Sequence, residues 1–107
     1  MKKILTVFIV IIFQTLLLGQ TLISGKVTDA NSGELLVGAN VLAEDSGGIG
    51  STTNIDGEYS FTLPAQIVGN IQVTVAYIGY KKTTSEVSVS GVPAQLDFSL
   101  TPDVLQG

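Results

Sequence analysis

Apolar and polar residues alternate one by one in several stretches of the chain, and the clearest case is Glu58 to Leu63. Tyr59, Phe61 and Leu63 fall on one side of an extended strand, and Glu58, Ser60 and Thr62 on the other. A period of two with one apolar face is the signature of a half-buried strand. Asp56-Gly57 immediately before it predicts a two-residue type I′ turn, and hence a hairpin joining Ile49–Asn54 to this strand. Pro64 ends the strand, having no N–H to donate to a ladder.

The same pattern recurs on both sides. Residues 22–28 place Ile23, Gly25 and Val27 on one face; 39–44 place Ala39, Val41 and Ala43 there. Between them Asp29-Ala30-Asn31-Ser32-Gly33-Glu34 reads as a turn, and Leu35-Leu36-Val37 as an apolar lead-in that plugs one end of the core. Residues 49–54, rich in Ser and Thr, read as an edge strand. Residues 65–70 read as a loop with room for a helical turn. Residues 71–78 carry Ile71, Val73, Val75 and Tyr77 on one face and Ala76 and Ile78 on the other, the mark of a central strand. After Gly79 come 81–90, with Val87 and Val89 inward, and 95–101, with Leu96, Phe98 and Leu100 inward. Seven short strands with regularly spaced turns predict an all-β, seven-stranded Greek-key sandwich of transthyretin-like or immunoglobulin-like type.

The first residues follow a different rule. Lys2 and Lys3 precede an unbroken apolar run, Ile4 to Phe13; Leu16-Leu17-Leu18 then lead to Gly19-Gln20. A basic, then apolar, then small order predicts a signal-peptide helix over 1–20, cleaved after Gly19 or Gln20. The run falls short of the ~20 residues that cross a bilayer. The expected organisation is therefore a signal at 1–20, one β domain at 21–102 and the start of a linker at 103–107. Beyond the signal, Lys26, Lys81 and Lys82 face nine acids, a net charge of −6 against −4 for the whole chain. That balance supplies no basic surface for nucleic acid.

Composition also narrows the chemistry. The 107 residues include no Cys and no His. Disulfides, a lipid-modified cysteine, Cys/His zinc sites, thiol nucleophiles and Ser-His-Asp triads are thus excluded. Three arrangements remain. Asn54, Asp56 and Glu58 could offer oxygen atoms to Ca²⁺, but a full calcium loop has more acids at alternate positions, and a turn is the favoured reading. Asp29 and Glu34 could act as paired carboxylates, but both lie on one turn with no cleft beside it. Tyr77, Ile78 and Tyr80 could form an aromatic platform for a sugar or peptide, although aromatic residues in apolar strands are more often core; Tyr80, beyond the Gly79 break, is the better contact residue. No catalytic, cofactor-binding or metal-binding residue is expected.

The succession of motifs is specific. Ser24-Gly25-Lys26-Val27-Thr28-Asp29 is followed by Ser32-Gly33-Glu34-Leu35-Leu36-Val37-Gly38-Ala39-Asn40-Val41, by Ser51-Thr52-Thr53-Asn54-Ile55-Asp56-Gly57-Glu58-Tyr59-Ser60-Phe61, by Val75-Ala76-Tyr77-Ile78-Gly79-Tyr80 and by Leu96-Asp97-Phe98-Ser99-Leu100. Over about residues 22–101 this resembles the carboxypeptidase-regulatory-like domain, a transthyretin-like sandwich. More narrowly, it is similar to the version at the N-terminus of TonB-dependent outer-membrane receptors, including the starch-utilisation type. The resemblance implies a non-enzymatic accessory module, exported to the periplasmic face of the outer membrane. It implies envelope partners, from the TonB system or a surface lipoprotein. The sequence stops at Leu105-Gln106-Gly107, where a receptor's TonB box would begin, so a truncated receptor gene is one expectation. A free-standing secreted module that binds glycan or protein is the second, and the accessory domain of an exported carboxypeptidase the third.

Overall fold

The computed structural model describes residues 19–103; the signal sequence expected at 1–20 lies almost wholly outside them, as do the last four residues. Eight strands form two facing sheets. They are β1 (Thr21–Asp29), β2 (Asn40–Ala43), β3 (Gly50–Thr52), β4 (Glu58–Leu63), β5 (Gly69–Ala76), β6 (Thr83–Val89), β7 (Ala94–Gln95) and β8 (Phe98–Leu100). One sheet runs β3-β2-β5-β6. In the other, β1 lies between antiparallel β4 and the parallel pieces β7 and β8.

The expected sandwich is the observed one, and its core follows the alternation read from the sequence. Ile23 and Val27 from β1, Tyr59, Phe61 and Leu63 from β4, and Phe98 and Leu100 from β8 form one inner face. Val41, Ala43, Val73, Val75 and Val89 form the other, with Ala39 and Leu36 closing an end. Leu36 is buried while its neighbours Leu35 and Val37 are exposed, so the plug is one side chain. Thr53 holds it in place: its hydroxyl donates to the Leu36 carbonyl (2.6 Å) and accepts from the Ala39 N–H (2.9 Å).

Five details depart from the expectation. The turn before β4 is not type I′. The Gly57 N–H donates to the Asn54 carbonyl and the Asn54 N–H to the Glu58 carbonyl. Gly57 alone is left-handed (φ 71°), whereas Asp56 is not. This is a type I turn followed by a glycine bulge, the usual three-residue alternative. Nor does a hairpin ladder follow, because β3 pairs with β2 in one sheet and β4 with β1 in the other. The turn carries the chain between sheets. Residues 65–70 contain no helical turn; a single turn closes from the Ile67 N–H to the Pro64 carbonyl, and Gly69 and Asn70 already belong to β5. β5 is central, between β2 and β6, but its outer face is not covered and Ile78 is 96% exposed.

The expected last strand, 95–101, is broken in two at Leu96-Asp97. There the backbone presses against Gly25: a Cβ on Gly25 would lie 2.0 Å from the Leu96 carbonyl oxygen. The Leu96 N–H donates to the Ser24 carbonyl (2.8 Å). The Lys26 N–H donates to Oδ1 of Asp97 (2.9 Å), a side chain standing in for the missing backbone acceptor. The buried Tyr59 hydroxyl donates to the Leu96 carbonyl from the core side. A buried phenol needs a partner, and this one fixes the break.

Candidate functional site

Strand directions gather one set of loops at one end of the sandwich. Asp29 ends β1, Asn40 begins β2 opposite Ala76 at the end of β5, and Leu100 ends β8 beside Asp29. The turn at 29–34, the lead-in 35–39, the connection 53–57, the turn 77–80 and the segment 101–103 therefore meet there. All three arrangements singled out in the sequence lie at this end.

Tyr77 to Tyr80 forms a turn closed by the Tyr80 N–H donating to the Tyr77 carbonyl (3.1 Å). Gly79 at its third position has φ 89°, which a residue with a Cβ rarely adopts. The turn puts Ile78 at the tip and brings the rings of Tyr77 and Tyr80 to 5.6 Å between centroids. With Gly38, Asn40, Ala76, Ile78 and Lys82 they line an open depression of about 640 Å³. Its floor is apolar, and its rim carries one amide and one ammonium group. Both tyrosines are half-buried against the core.

Tyr80 is also a structural tie. Its hydroxyl donates to Oδ2 of Asp29 (2.6 Å) across 51 positions of sequence. Oδ1 of Asp29 accepts from the Asn31 (2.7 Å) and Ser32 (2.9 Å) N–H groups. These bonds, led by that from Tyr80, hold the Asp29 carboxyl below the usual carboxylate range. The same bond, with some desolvation, pushes the Tyr80 phenol up to about 12. An acid so firmly ionised and so fully bonded is a poor proton donor, and Glu34 meets it only through a backbone bond, its carbonyl accepting from the Asp29 N–H. Nothing in this geometry makes the two a working carboxylate pair.

Around Asn54 one of the three candidate side chains is likewise occupied. Oδ1 of Asn54 accepts from the Asp56 (2.9 Å) and Glu58 (3.0 Å) N–H groups, organising the turn. Among the described residues no three acidic, His or Cys side chains cluster as metal ligands. Sequence reasoning singled out Tyr77, Ile78 and Tyr80, but did not join Tyr80 to Asp29, and did not see Asn40 or Lys82 beside them. The one available signal was the alternation that puts Asn40 outward at the start of its strand.

A family model for the carboxypeptidase regulatory-like domain matches residues 22–101, nearly all of the described fold. The chain belongs to the carboxypeptidase regulatory-like domain family. This regulatory-like domain is a non-catalytic accessory fold. No curated protein sequence matches the chain. Among solved structures it is similar to catechol 1,2-dioxygenase of Acinetobacter radioresistens, at 15% identity and a TM-score of 0.60 over 79% of this chain and 52% of that one. It is also similar to the pilus 2b backbone protein of group B streptococcus, at 15% identity and a TM-score of 0.58 over 76% of this chain and 40% of that one. A "putative carbohydrate binding protein" of Bacteroides uniformis matches at 18% identity with a TM-score of 0.59, over 77% of this chain and 41% of that one. The chain spans about half the length of the dioxygenase it matches. At these identities the likeness is one of fold, that of a β-sandwich domain.

Proposed function

We propose that this regulatory-like domain is a non-enzymatic module in series with other parts of an exported protein, namely the periplasmic N-terminal extension of a TonB-dependent receptor for nutrient uptake. The observation that carries this reading is the family match together with the course of the chain. The chain enters the fold at Thr21, at the end of the sandwich opposite the tyrosines. It leaves at Asp103, beside Gly79. A domain threaded end to end in this way fits between an export signal and a following domain without rearrangement. The apolar Ile4–Phe13 run behind Lys2 and Lys3 supports export. The test is an immunoblot of envelope fractions with an antibody to residues 22–101. A band far larger than 11.2 kDa in the outer membrane is expected. A band at or below that mass, soluble in the periplasm or the medium, would overturn the receptor reading.

One observation favours a second reading, a glycan-binding module. The Tyr77–Tyr80 depression pairs aromatic faces with the Asn40 amide, a combination that suits a sugar ring and its hydroxyls. Retardation of the protein in gels containing soluble starch tests it. Retardation that disappears in Tyr80→Ala and survives in Tyr80→Phe supports the site; migration independent of starch rejects it for that glycan.

A further inference from the structure

The two strands that bound the fold in sequence are neighbours in space and run parallel. β1 pairs with β7 at Ile23–Ala94 and Ser24–Gln95, and with β8 at Val27–Phe98, Thr28–Ser99 and Asp29–Leu100. Tension applied between Thr21 and Asp103 therefore draws β1 towards one end of the sandwich and β8 towards the other, along nearly the same axis. The hydrogen bonds joining them run across that axis. They are loaded together, in shear, instead of opening one after another. On its other side β1 is held by β4 over six residue pairs, Thr21–Leu63 to Lys26–Glu58.

We infer that this fold is a mechanical clamp, which carries tension along the chain while staying folded. The inference goes beyond the receptor reading and does not depend on it. The local detail follows from it. A ladder of two short strands would be weak at the break between them, and the break is where the extra bonds are found. The Leu96 N–H reaches the Ser24 carbonyl, the Asp97 carboxylate takes the Lys26 N–H, and the Tyr59 hydroxyl anchors the Leu96 carbonyl to the core. At the two ends the chain is tied again. The Gly91 N–H donates to the Thr21 hydroxyl (2.8 Å) where the chain enters. Where it leaves, the Lys81 N–H donates to the Thr101 carbonyl and the Asp103 N–H to the Gly79 carbonyl. Resistance to force is set by the unfolding barrier rather than by equilibrium stability. A shear-loaded ladder raises that barrier for one direction of pulling only.

That directionality is the test. The chain has no cysteine, so introduced pairs are unique attachment points for handles in an optical trap. In the full chain, Gln20→Cys with Asp103→Cys loads the ladder in shear. Asn31→Cys with Asp103→Cys, from two exposed positions at the same end, peels it from the Asp29–Leu100 pair. The rupture force is expected to be several-fold higher for the first pair than for the second. Equal forces, or a lower force for the first pair, would overturn the clamp. Adding Asp97→Ala, with folding checked by circular dichroism, is expected to lower the shear force more than the peeling force. An unchanged shear force would remove Asp97 from the resisting element. If that variant fails to fold, the comparison of the two handle pairs still decides the matter.

Discussion

Tyr59 and Tyr80 both end in a hydroxyl that donates one strong hydrogen bond, and they serve the molecule in opposite ways. Tyr59 is 4% exposed, stacked on Phe61 and tilted against Phe98, and donates a hydrogen bond to the half-buried Leu96 carbonyl. Burial first, and the nearby Asp97 charge second, push its ionisation well up. Tyr80 lies at the rim of an open depression and donates a hydrogen bond to the Asp29 carboxylate. The core tyrosine joins strands that the hydrophobic effect already presses together. The rim tyrosine holds loops that little apolar surface would hold. Interior packing fixes the fold, while a polar tie shapes the end that carries the tyrosine depression.

The contrast breaks first in the core. Phe61→Ala and Phe98→Ala should each cost about 3–5 kcal/mol by removing an aromatic ring from a packed interior, enough to unfold much of so small a domain. Urea titrations followed by circular dichroism read this directly, and midpoints that barely move would show that the core lies elsewhere. Tyr59→Phe keeps the ring and deletes the hydroxyl. Leaving the Leu96 carbonyl unpaired should cost about 1–3 kcal/mol, an effect that solvent access to that carbonyl would shrink towards zero in the same titration.

The rim responds to pH instead. Asp29 is held below its ordinary range, so its bonds stabilise the fold above the ordinary carboxylate pKa of about 3.9 and are lost as pH falls through the lower folded value. Tyr80 is raised, so its contribution is complete below the ordinary phenol pKa of about 10 and is lost as pH rises towards about 12. Melting temperature should therefore be level between these limits and fall outside both. The alkaline fall is shared with Tyr59. The acid fall should shrink in Tyr80→Phe and shrink further in Asp29→Asn; an acid limb unchanged in Asp29→Asn would show that other carboxylates cause it. Smallest of all is Ile78→Ser. At 96% exposure that side chain contributes nothing to the core, and stability should change by less than about 0.5 kcal/mol. A larger loss would mean that Ile78 is covered in solution.

The sequence by itself determined the local terms. Alternation assigned Tyr59, Phe61, Leu63, Val73, Val75, Phe98 and Leu100 to the interior, because a strand's side chains must take opposite faces whatever the strand pairs with. Gly57 and Gly79 marked turns, because few other residues accept their backbone angles. The absence of His and Cys limits the chemistry whatever the fold. Pairing was not legible. Nothing local says that β3 and β4, one turn apart, belong to different sheets, or that β1 pairs with the last strands of the fold. Those choices minimise exposed apolar surface over the whole chain, and such a sum is not a property of any window. For the same reason the sequence showed Asp29 and Tyr80 as a turn residue and a candidate contact, and only the closed sandwich brought the two within 2.6 Å.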